Sequence, residues 1–463
     1  MSRADAVANA MAYFDDGGFF DDLARRVAIP STAQEARHRP ALYAYLEEEI
    51  GPTLAKMGYS FEVFENPVEG GGPLLVAERH EGDDLPTVLT YGHGDVVRGL
   101  EAEWREGLDP WTLTREGDRL YGRGTADNKG QHSINIAALA SVLRVRDRLG
   151  FNSRIFIDMS EEIGSPGLRE FSAEHRDRLQ ADVLIGSDGP RLVPGEPTIF
   201  LGTRGAVNFE LSLDLREGGH HSGNWGGLIS NAGVRLANAL AAIVGPKGEI
   251  LVSELKPEAI PPSVKEALAS CQVDGGEDGP EIEPDWGEPG LTPVERVFGW
   301  NTFEVLAFKA GNPDKVVNAI PPRARAWCQI RFTVDRDPAT FLPAIRRHLD
   351  DNGYTDVVVE QTERDFIMHA TRLLPDHPWV QWATASVART MNKPPMVVPN
   401  LGGSLPNDIF ADVIGVPTIW VPHSYAACSQ HAPNEHMLAP IAREGLAMMT
   451  GLFWDLGEPG VPC

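Results

Sequence analysis

The chain has 463 residues, 42% hydrophobic and 23% charged, which is the composition of an ordinary globular protein of roughly two to four domains. Its 66 acidic residues outnumber its 41 Lys and Arg residues, and the resulting net charge of −25 argues against nucleic-acid or anionic-membrane partners. The sequence has neither an apolar run of about 20 residues nor a signal-peptide pattern in its acidic N-terminal segment, which predicts a cytoplasmic protein without a membrane span.

Four short β-branched runs end in turn-forming residues that carry polar side chains. They are residues 87–91 before His93 and Asp95, residues 154–159 before Glu161 and Glu162, residues 182–185 before Asp188, and residues 418–421 before His423. Between the first two runs, apolar residues recur at close to helical spacing over residues 131–148 (Ile134, Ala137, Ala138, Val142 and Val145). Alternating strands and helices predict an α/β domain with a mostly parallel sheet, covered on both faces. Ligands of such sheets bind beyond the carboxyl ends of the strands, which is where these polar residues fall.

From Arg204 the pattern changes to that of a two-layer α+β unit. Residues 206–215 alternate like a half-exposed strand, residues 231–244 are typical of an Ala-rich helix, and strands at 325–334 and 355–360 flank a helix at 339–349. An acidic stretch rich in Gly and Pro, residues 274–293, predicts a long surface loop. The simplest organisation is one α/β domain, residues 1–203 and 369–463, with an α+β domain inserted at residues 204–368.

Acidic and imidazole side chains form the candidate site, namely His93, Asp95, Asp127, Glu161, Glu162, Asp188 and His431. Each has an ordinary structural explanation by itself, such as a helix cap at Asp127, a turn at Asp188 or a solvated loop at Glu161 and Glu162. Together they are harder to explain, because two like charges ~4 Å apart repel by ~4 kcal/mol at an effective dielectric of ~20. A cleft with so many carboxylates needs protons or cations, and a mixture of imidazole and carboxylate suits zinc, cobalt or manganese.

Six motifs occur in an order that resembles a known enzyme family. They are TYGHGDVV, YGRGTADNKGQ, MSEEIGSPG, IGSDGP, HHSGNWGG and SQHAPNEHM. In this order they resemble the dinuclear zinc exopeptidases and deacylases, a family that includes carnosinase-type dipeptidases, acetylornithine deacetylase, succinyl-diaminopimelate desuccinylase, aminoacylase and glutamate carboxypeptidase. The resemblance implies a zinc-hydrolase domain interrupted by a lid domain, through which the chain forms a homodimer.

The resemblance also implies which residues bind the metal ions. His93 and Asp188 match the ligands of one divalent ion. Glu162 and His431 match the ligands of the other, and Asp127 matches the carboxylate that bridges both. The cofactor expected from the family is therefore a pair of zinc ions, with cobalt or manganese as alternatives.

Three further residues match catalytic positions of the family. Asp95 matches an aspartate that orients the histidine ligand, and Glu161 matches the general base, which is not a ligand. His221 matches a lid histidine that reaches the substrate carbonyl, although the neighbouring His220 could take that role. In the family a cis peptide bond follows the bridging aspartate, which corresponds here to Asp127–Asn128.

The expected reaction is hydrolysis of the amide bond of a small dipeptide or N-acyl amino acid, by a water shared between two metal ions with Glu161 as the base. Asn318, Arg331 and Ser404 resemble the elements of carnosinase-type dipeptidases that bind the substrate carboxylate, whereas an ordinary surface ion pair is the alternative for Arg331. Asn318 replaces an expected hydroxyl residue, and this departure leaves the substrate open. The alternatives are an acetylornithine-type deacylase and a non-catalytic binding protein of the same fold.

Overall fold

A computed structural model describes residues 2–273, 280–361 and 367–462 of the chain. In the first part the helices are α1 (Arg3–Asp15), α2 (Gly18–Val27), α3 (Arg39–Ala44), α4 (Gly51–Lys56), α5 (Lys129–Arg146), α6 (Leu168–Glu174) and α7 (Arg176–Leu179), and the strands are β1 (Ser60–Phe64), β2 (Leu74–Arg79), β3 (Thr87–His93), β4 (Thr114–Glu116), β5 (Arg119–Tyr121), β6 (Asn152–Asp158), β7 (Val183–Gly186), β8 (Pro190–Arg191) and β9 (Thr198–Phe200). Within the described ranges, no helix combines the length and hydropathy needed to cross a bilayer.

The middle of the chain supplies a second group of elements. Its strands are β10 (Gly205–Asp214), β11 (His220–His221), β12 (Thr302–Ala310), β13 (Ala319–Ile320), β14 (Arg323–Phe332), β15 (Val358–Glu360) and β16 (Ile367–Met368), and its helices are α8 (Ser222–Trp225), α9 (Ala232–Ile243), α10 (Pro262–Leu268), α11 (Pro293–Phe298) and α12 (Phe341–Asp351). The last part adds α13 (Pro378–Met391), α14 (Ala439–Leu456), β17 (Met396–Val398), β18 (Thr418–Trp420), β19 (Ser424–Tyr425) and β20 (His436–Leu438).

The large sheet has the strand order β1-β2-β6-β3-β7-β18-β9-β17. Its centre, from β6 to β18, is parallel, whereas β1 and β2 form an antiparallel edge. The predicted mostly parallel α/β sheet is therefore confirmed. Strand β18 joins the sheet beside β7 only after the whole middle segment, so that segment is an insertion, as predicted. All strands of the inserted sheet lie between Gly205 and Met368, and the exact domain boundaries stay a prediction.

Helices cover both faces of the large sheet. Helices α1, α5 and α14 pack together on one face, and the five predicted apolar positions of α5 are all buried there. The other face packs aromatic strand residues against α6, α10 and α11 in a second apolar cluster. Helices α10 and α11 belong to the inserted segment, so that segment also contacts the large sheet. Of the predicted surface loop, residues 274–279 lie outside the described residues, and residues 280–292 are partly to fully exposed and outside helices and strands, as predicted.

The inserted sheet is antiparallel, with the order β12-β14-β10-β15 and with β16 on the same side of β10 as β15. Helices α9 and α12 pack on one face of this sheet and form its core. The predicted helices and the strand at 325–334 are confirmed to within two residues. The strand predicted at 355–360 is shorter, because the chain is still in the turn after α12, where the backbone N–H of Val357 donates to the carbonyl of Tyr354.

Candidate metal centre

Three neighbouring parallel strands deliver the first candidate residues to one edge of the large sheet. His93 is the last residue of β3. Glu161 and Glu162 lie in a short helical turn that begins just after β6, and Asp188 lies two residues beyond β7. Because β6, β3 and β7 are adjacent and parallel, their carboxyl ends meet. The prediction that these side chains gather at the strand ends is correct.

Asp127 links two groups of potential metal donors. Its Oδ1 lies 2.9 Å from His93 Nε2, which in turn lies 3.5 Å from Asp188 Oδ2. Its Oδ2 lies 3.0 Å from His431 Nε2, which also lies 3.0 Å from Glu162 Oε2. Within each group the donor atoms lie no more than 4.8 Å apart. Two cation sites that share one carboxylate therefore fit this geometry.

The donor groups are buried, so carboxylate charges without a compensating positive charge are energetically costly there. His93, Asp127 and Asp188 are at most 5% exposed, and two oxygens, Glu162 Oε1 and Asp188 Oδ2, accept no hydrogen bond from any described residue. Burial, together with the nearby charge of Asp127, raises the pKa of Glu162 to about 7 and that of Asp188 to about 6. Divalent cations would supply both the missing partners and the missing charge. The residues present thus fit a pair of divalent metal ions.

Asp127 differs from the other carboxylates in its electrostatics. Burial alone would raise its pKa, but the hydrogen bonds from His431 and His93 hold the pKa well below its usual range. A third donor, the Gln430 amide, bonds to Oδ2 of the same side chain. The peptide bond from Asp127 to Asn128 is cis, as the resemblance implied. Asp127 is therefore the carboxylate of the cluster best suited to remain ionised.

Asp95 is fully buried and organises the backbone of the neighbouring strand end. Its two carboxylate oxygens accept the N–H groups of Glu161 and Glu162, each at 3.1 Å. Its contact with His93 differs from the predicted one, because Nδ1 lies 3.1 Å from the backbone carbonyl of Asp95 and 3.5 Å from the carboxylate. Asp95 therefore fixes both His93 and the turn that carries the two glutamates.

Glu161 lies beside the donor groups without belonging to either. Its Oε2 is 3.9 Å from His93 Nε2, and burial raises its pKa well above the ordinary value. Glu161, Asp127, Asp188 and His431 line one cavity of about 450 Å³, and Ser404 lines it too. A carboxylate that lines a cavity next to paired cation sites can accept and return a proton.

Arg331 and Ser404 come together, whereas Asn318 does not join them. Arg331 Nη1 donates to Ser404 Oγ at 2.7 Å, and Ser404 Oγ donates to the backbone carbonyl of Arg204. Asn318 is exposed beside the two-stranded ribbon of β11 and β13, where its carbonyl accepts the N–H of Ser222. The predicted carboxylate-binding group is thus assembled only in part within one chain.

His221 also lies on this ribbon, and it is exposed. Its Nδ1 accepts the backbone N–H of Gly223 at 3.2 Å. Among the described residues, neither His221 nor Asn318 lines the cavity or hydrogen-bonds to a metal donor. If either residue acts at the metal centre, it must do so from another copy of the chain or after a movement of the inserted domain.

The sequence did not predict the buried residues that hydrogen-bond to the segments carrying the metal donors. Glu435 Oε1 accepts the backbone N–H groups of Gly124, Ala126 and Asp127 at 2.9 to 3.1 Å. A second group of hydrogen bonds is fully buried: the Tyr45 hydroxyl lies 2.7 Å from His132 Nε2, and His132 Nδ1 lies 3.1 Å from Asn128 Oδ1. The only signal for Glu435 is its place in the SQHAPNEHM motif, and Tyr45 lies outside every motif.

Fold and site together define a hydrolase that works with two metal ions. A family model, Peptidase family M20/M25/M40, matches residues 89–455, and the chain belongs to this family. It is accordingly a metal-dependent peptidase, and the resemblance found in the motifs is confirmed.

Curated relatives and solved structures agree with this assignment. The human Beta-Ala-His dipeptidase is 25% identical over 464 residues, which cover 95% of this chain and 86% of that protein. The cysteinylglycine-S-conjugate dipeptidase of Corynebacterium striatum is 26% identical over 290 residues, which cover 60% of each chain. A solved structure of a di-peptidase from Saccharomyces cerevisiae shares the fold, with a TM-score of 0.78 at 18% identity, over 99% of this chain and 100% of that one.

Proposed function

We propose that the protein is a zinc-dependent dipeptidase that hydrolyses the amide bond of a small dipeptide or N-acyl amino acid. The observation that carries this proposal is a single cavity lined by members of both donor groups (Asp127, Asp188 and His431) together with Glu161 and Ser404. The names of the relatives, dipeptidases for Beta-Ala-His and for cysteinylglycine conjugates, support a dipeptide as substrate.

In this proposal His93 and Asp188 hold one ion, Glu162 and His431 hold the other, and Asp127 bridges them. Their mixture of imidazole and carboxylate favours zinc, with cobalt or manganese as alternatives. When bound, the two ions would lower the pKa of a water molecule and polarise the scissile carbonyl.

The proton steps fall to Glu161. Its carboxylate accepts a proton from the attacking water and returns it to the nitrogen of the leaving group, a role typically worth about 10²–10⁴ in rate. The position of Glu161 beside the proposed cation sites, with Oε2 3.9 Å from His93 Nε2, supports this role. Asp95 keeps Glu161 in place through the backbone N–H that it accepts.

Arg331 and Ser404 are proposed to bind the free carboxylate of the substrate. Arg331 forms no ion pair with a carboxylate among the described residues, in contrast to the surface pair that was its alternative. Its guanidinium is half-buried and donates to Ser404, which faces the cavity. An Arg fork beside a hydroxyl suits a carboxylate well. Asn318 would complete this group only if the partner subunit supplies it.

A homodimer through the inserted domain would explain the exposed position of His221. Strand β12 is an edge strand that exposes Val305, Leu306 and Phe308, a combination that isolated proteins usually avoid or cover. Pairing of this edge between two copies would bury these side chains. It would also allow His221 of one copy to approach the metal centre of the other.

The test compares the wild type with Glu161→Gln, each loaded with zinc, cobalt or manganese. Amine release from dipeptides and from N-acyl amino acids is measured, with metal content determined by mass spectrometry. Glu161→Gln should lower kcat by about 10²–10⁴ while metal content stays at two ions per chain. Glu170→Gln, an exposed substitution on α6, serves as the matched control and should change neither quantity.

The same experiment separates the alternatives. Turnover of N-acetylornithine but not of dipeptides would favour the deacylase, and wild-type protein that binds metal without turning over any substrate would favour a binding protein. Normal activity of Glu161→Gln would refute the role of Glu161.

A further inference from the structure

The cavity that holds the metal donors has a second, apolar part. Besides Asp127, Glu161, Asp188, His431 and Ser404, its lining includes a group that we call the apolar wall, defined as Leu192, Ile282, Phe298, Leu401 and Leu405. At about 450 Å³, the cavity has room for substrate groups beyond the reacting amide.

Most of the apolar wall is held rigidly by the core beneath it. Leu192, Phe298, Leu401 and Leu405 are only 4–8% exposed and belong to the apolar cluster that covers the second face of the large sheet. Ile282 differs, because it is 43% exposed. A rigid apolar surface beside a reactive centre selects ligands by the apolar area that they bury.

Arg191, the arginine beside Leu192 in the cavity lining, does not offer a free charge to a ligand. The guanidinium of Arg191 is fully buried, and its Nη1 lies 2.8 Å from Glu444 and also donates to the carbonyl of Pro194. Glu444 therefore compensates the charge of Arg191 within the protein. The five side chains of the wall carry no charge either, so a charged substrate side chain placed against them would lose water without gaining a counter-ion.

The wall lies at the end of the cavity where the substrate carboxylate is proposed to bind. Leu401 and Leu405 flank Ser404 on the same loop, and Ser404 accepts the hydrogen bond from Arg331. Phe298, on α11, lies beside this loop, since its ring is only 3.7 Å from the position that a Cβ would occupy on Gly402. A side chain that shares its Cα with the bound carboxylate would therefore lie against the wall.

We propose that the apolar wall is the subsite for the side chain of the C-terminal residue. The preferred substrates are then dipeptides or N-acyl amino acids that end in a bulky aliphatic or aromatic residue. This inference rests on the proposed function, since it presupposes that Arg331 and Ser404 bind the carboxylate of a hydrolysed substrate.

The first test measures kcat/KM of the zinc-loaded wild type for Ala-Gly, Ala-Leu, Ala-Phe and Ala-Lys, and for Leu-Ala and Phe-Ala. Ala-Leu and Ala-Phe should exceed Ala-Gly by at least about tenfold, as expected for several buried carbon atoms, and Ala-Lys should not. A preference confined to Leu-Ala and Phe-Ala, or equal rates for Ala-Lys and Ala-Leu, would overturn the subsite while leaving the hydrolytic function intact. Hydrolysis of none of the peptides would overturn both.

The second test changes the wall at its exposed end, where folding is least at risk. Ile282→Ser should lower the ratio of kcat/KM for Ala-Leu over Ala-Gly by roughly threefold to tenfold. Leu374→Ser is the control, because Leu374 is also an exposed apolar residue, at 54%, but lies outside the cavity lining; it should leave this ratio unchanged. Phe298→Leu keeps the site apolar but enlarges it, and should raise the rate for Ala-Trp relative to Ala-Leu. Unchanged ratios in both Ile282→Ser and Phe298→Leu would overturn the subsite.

Discussion

Glu435 allows a test of how the loop that carries Asp127 is stabilised. Glu435 and its partner Arg123 are both 1% exposed, with Arg123 Nη1 and Glu435 Oε2 2.8 Å apart. The Nε and Nη2 atoms of Arg123 have no hydrogen-bond partner among the described residues. The other carboxylate oxygen accepts the three backbone N–H groups of the loop that ends at Asp127. One side chain therefore compensates a buried charge and fixes the position of the proposed bridging ligand.

This geometry indicates how much unfolding free energy Glu435→Gln should lose. Glutamine keeps a carbonyl oxygen for the backbone N–H groups, so the principal loss is the compensation of Arg123. Removing one partner of a buried ion pair costs about 3–5 kcal/mol, because the other charge remains buried without a counter-ion. Glu435→Ala would add about 1–3 kcal/mol for each backbone N–H left without an acceptor. Against a total stability of about 5–15 kcal/mol, only the glutamine variant is expected to remain measurable.

Urea unfolding of wild-type and Glu435→Gln protein, both metal-loaded, measures this free energy. The matched control is Asp214→Asn, which breaks a pair with Arg323 of the same 2.8 Å length, but whose side chains are 60% and 64% exposed. The control should lose less than about 1 kcal/mol. If Glu435→Gln lost no more than Asp214→Asn, the buried pair would not stabilise the loop as argued. Glu435→Gln should also release metal more readily on dialysis, since Asp127 loses part of its support.

Three further outcomes are expected. Arg331→Met should raise KM by at least about tenfold for substrates with a free C-terminal carboxylate, but not for their C-terminal amides, because only the former need the Arg fork. Light scattering should give about twice the 50.5 kDa chain mass, and Leu306→Arg, which places a charge on the exposed edge strand, should give a monomer. Burial lowers the pKa of His423 well below 6.5, so only the unfolded chain gains this proton on acidification. The unfolding free energy should therefore fall between about pH 7 and about pH 5, and His423→Gln should reduce the fall by up to about 1.4 kcal/mol per pH unit.

The part of the site that local sequence could predict is the part built on strand ends. His93 and Asp188 each follow a short β-branched run, and parallel pairing brings such ends together whatever the rest of the chain does. Asp127 and His431 lie on loops, where no periodicity marks them, and only their motifs singled them out. The buried apolar stripe of α5 was predictable from its spacing. Its buried polar residues were not, because their partners come from distant segments; His132, for example, hydrogen-bonds to the Tyr45 hydroxyl.

Glu435 shows why the remaining support could not be predicted. In the sequence it is an acidic residue in a polar loop, a context in which solvent exposure is the ordinary expectation. Its role depends on three N–H groups and one guanidinium that come from residues about 310 positions earlier in the chain. The antiparallel pairing of β20 with β5 brings the two segments together. Ser404 and Arg331 are likewise 73 positions apart in the sequence. Arg331 lies on β14 of the inserted sheet, and only the tertiary fold brings it to the loop that carries Ser404. Local pattern predicts the proposed ligands at the strand ends, His93 and Asp188, whereas tertiary pairing decides which side chains support them.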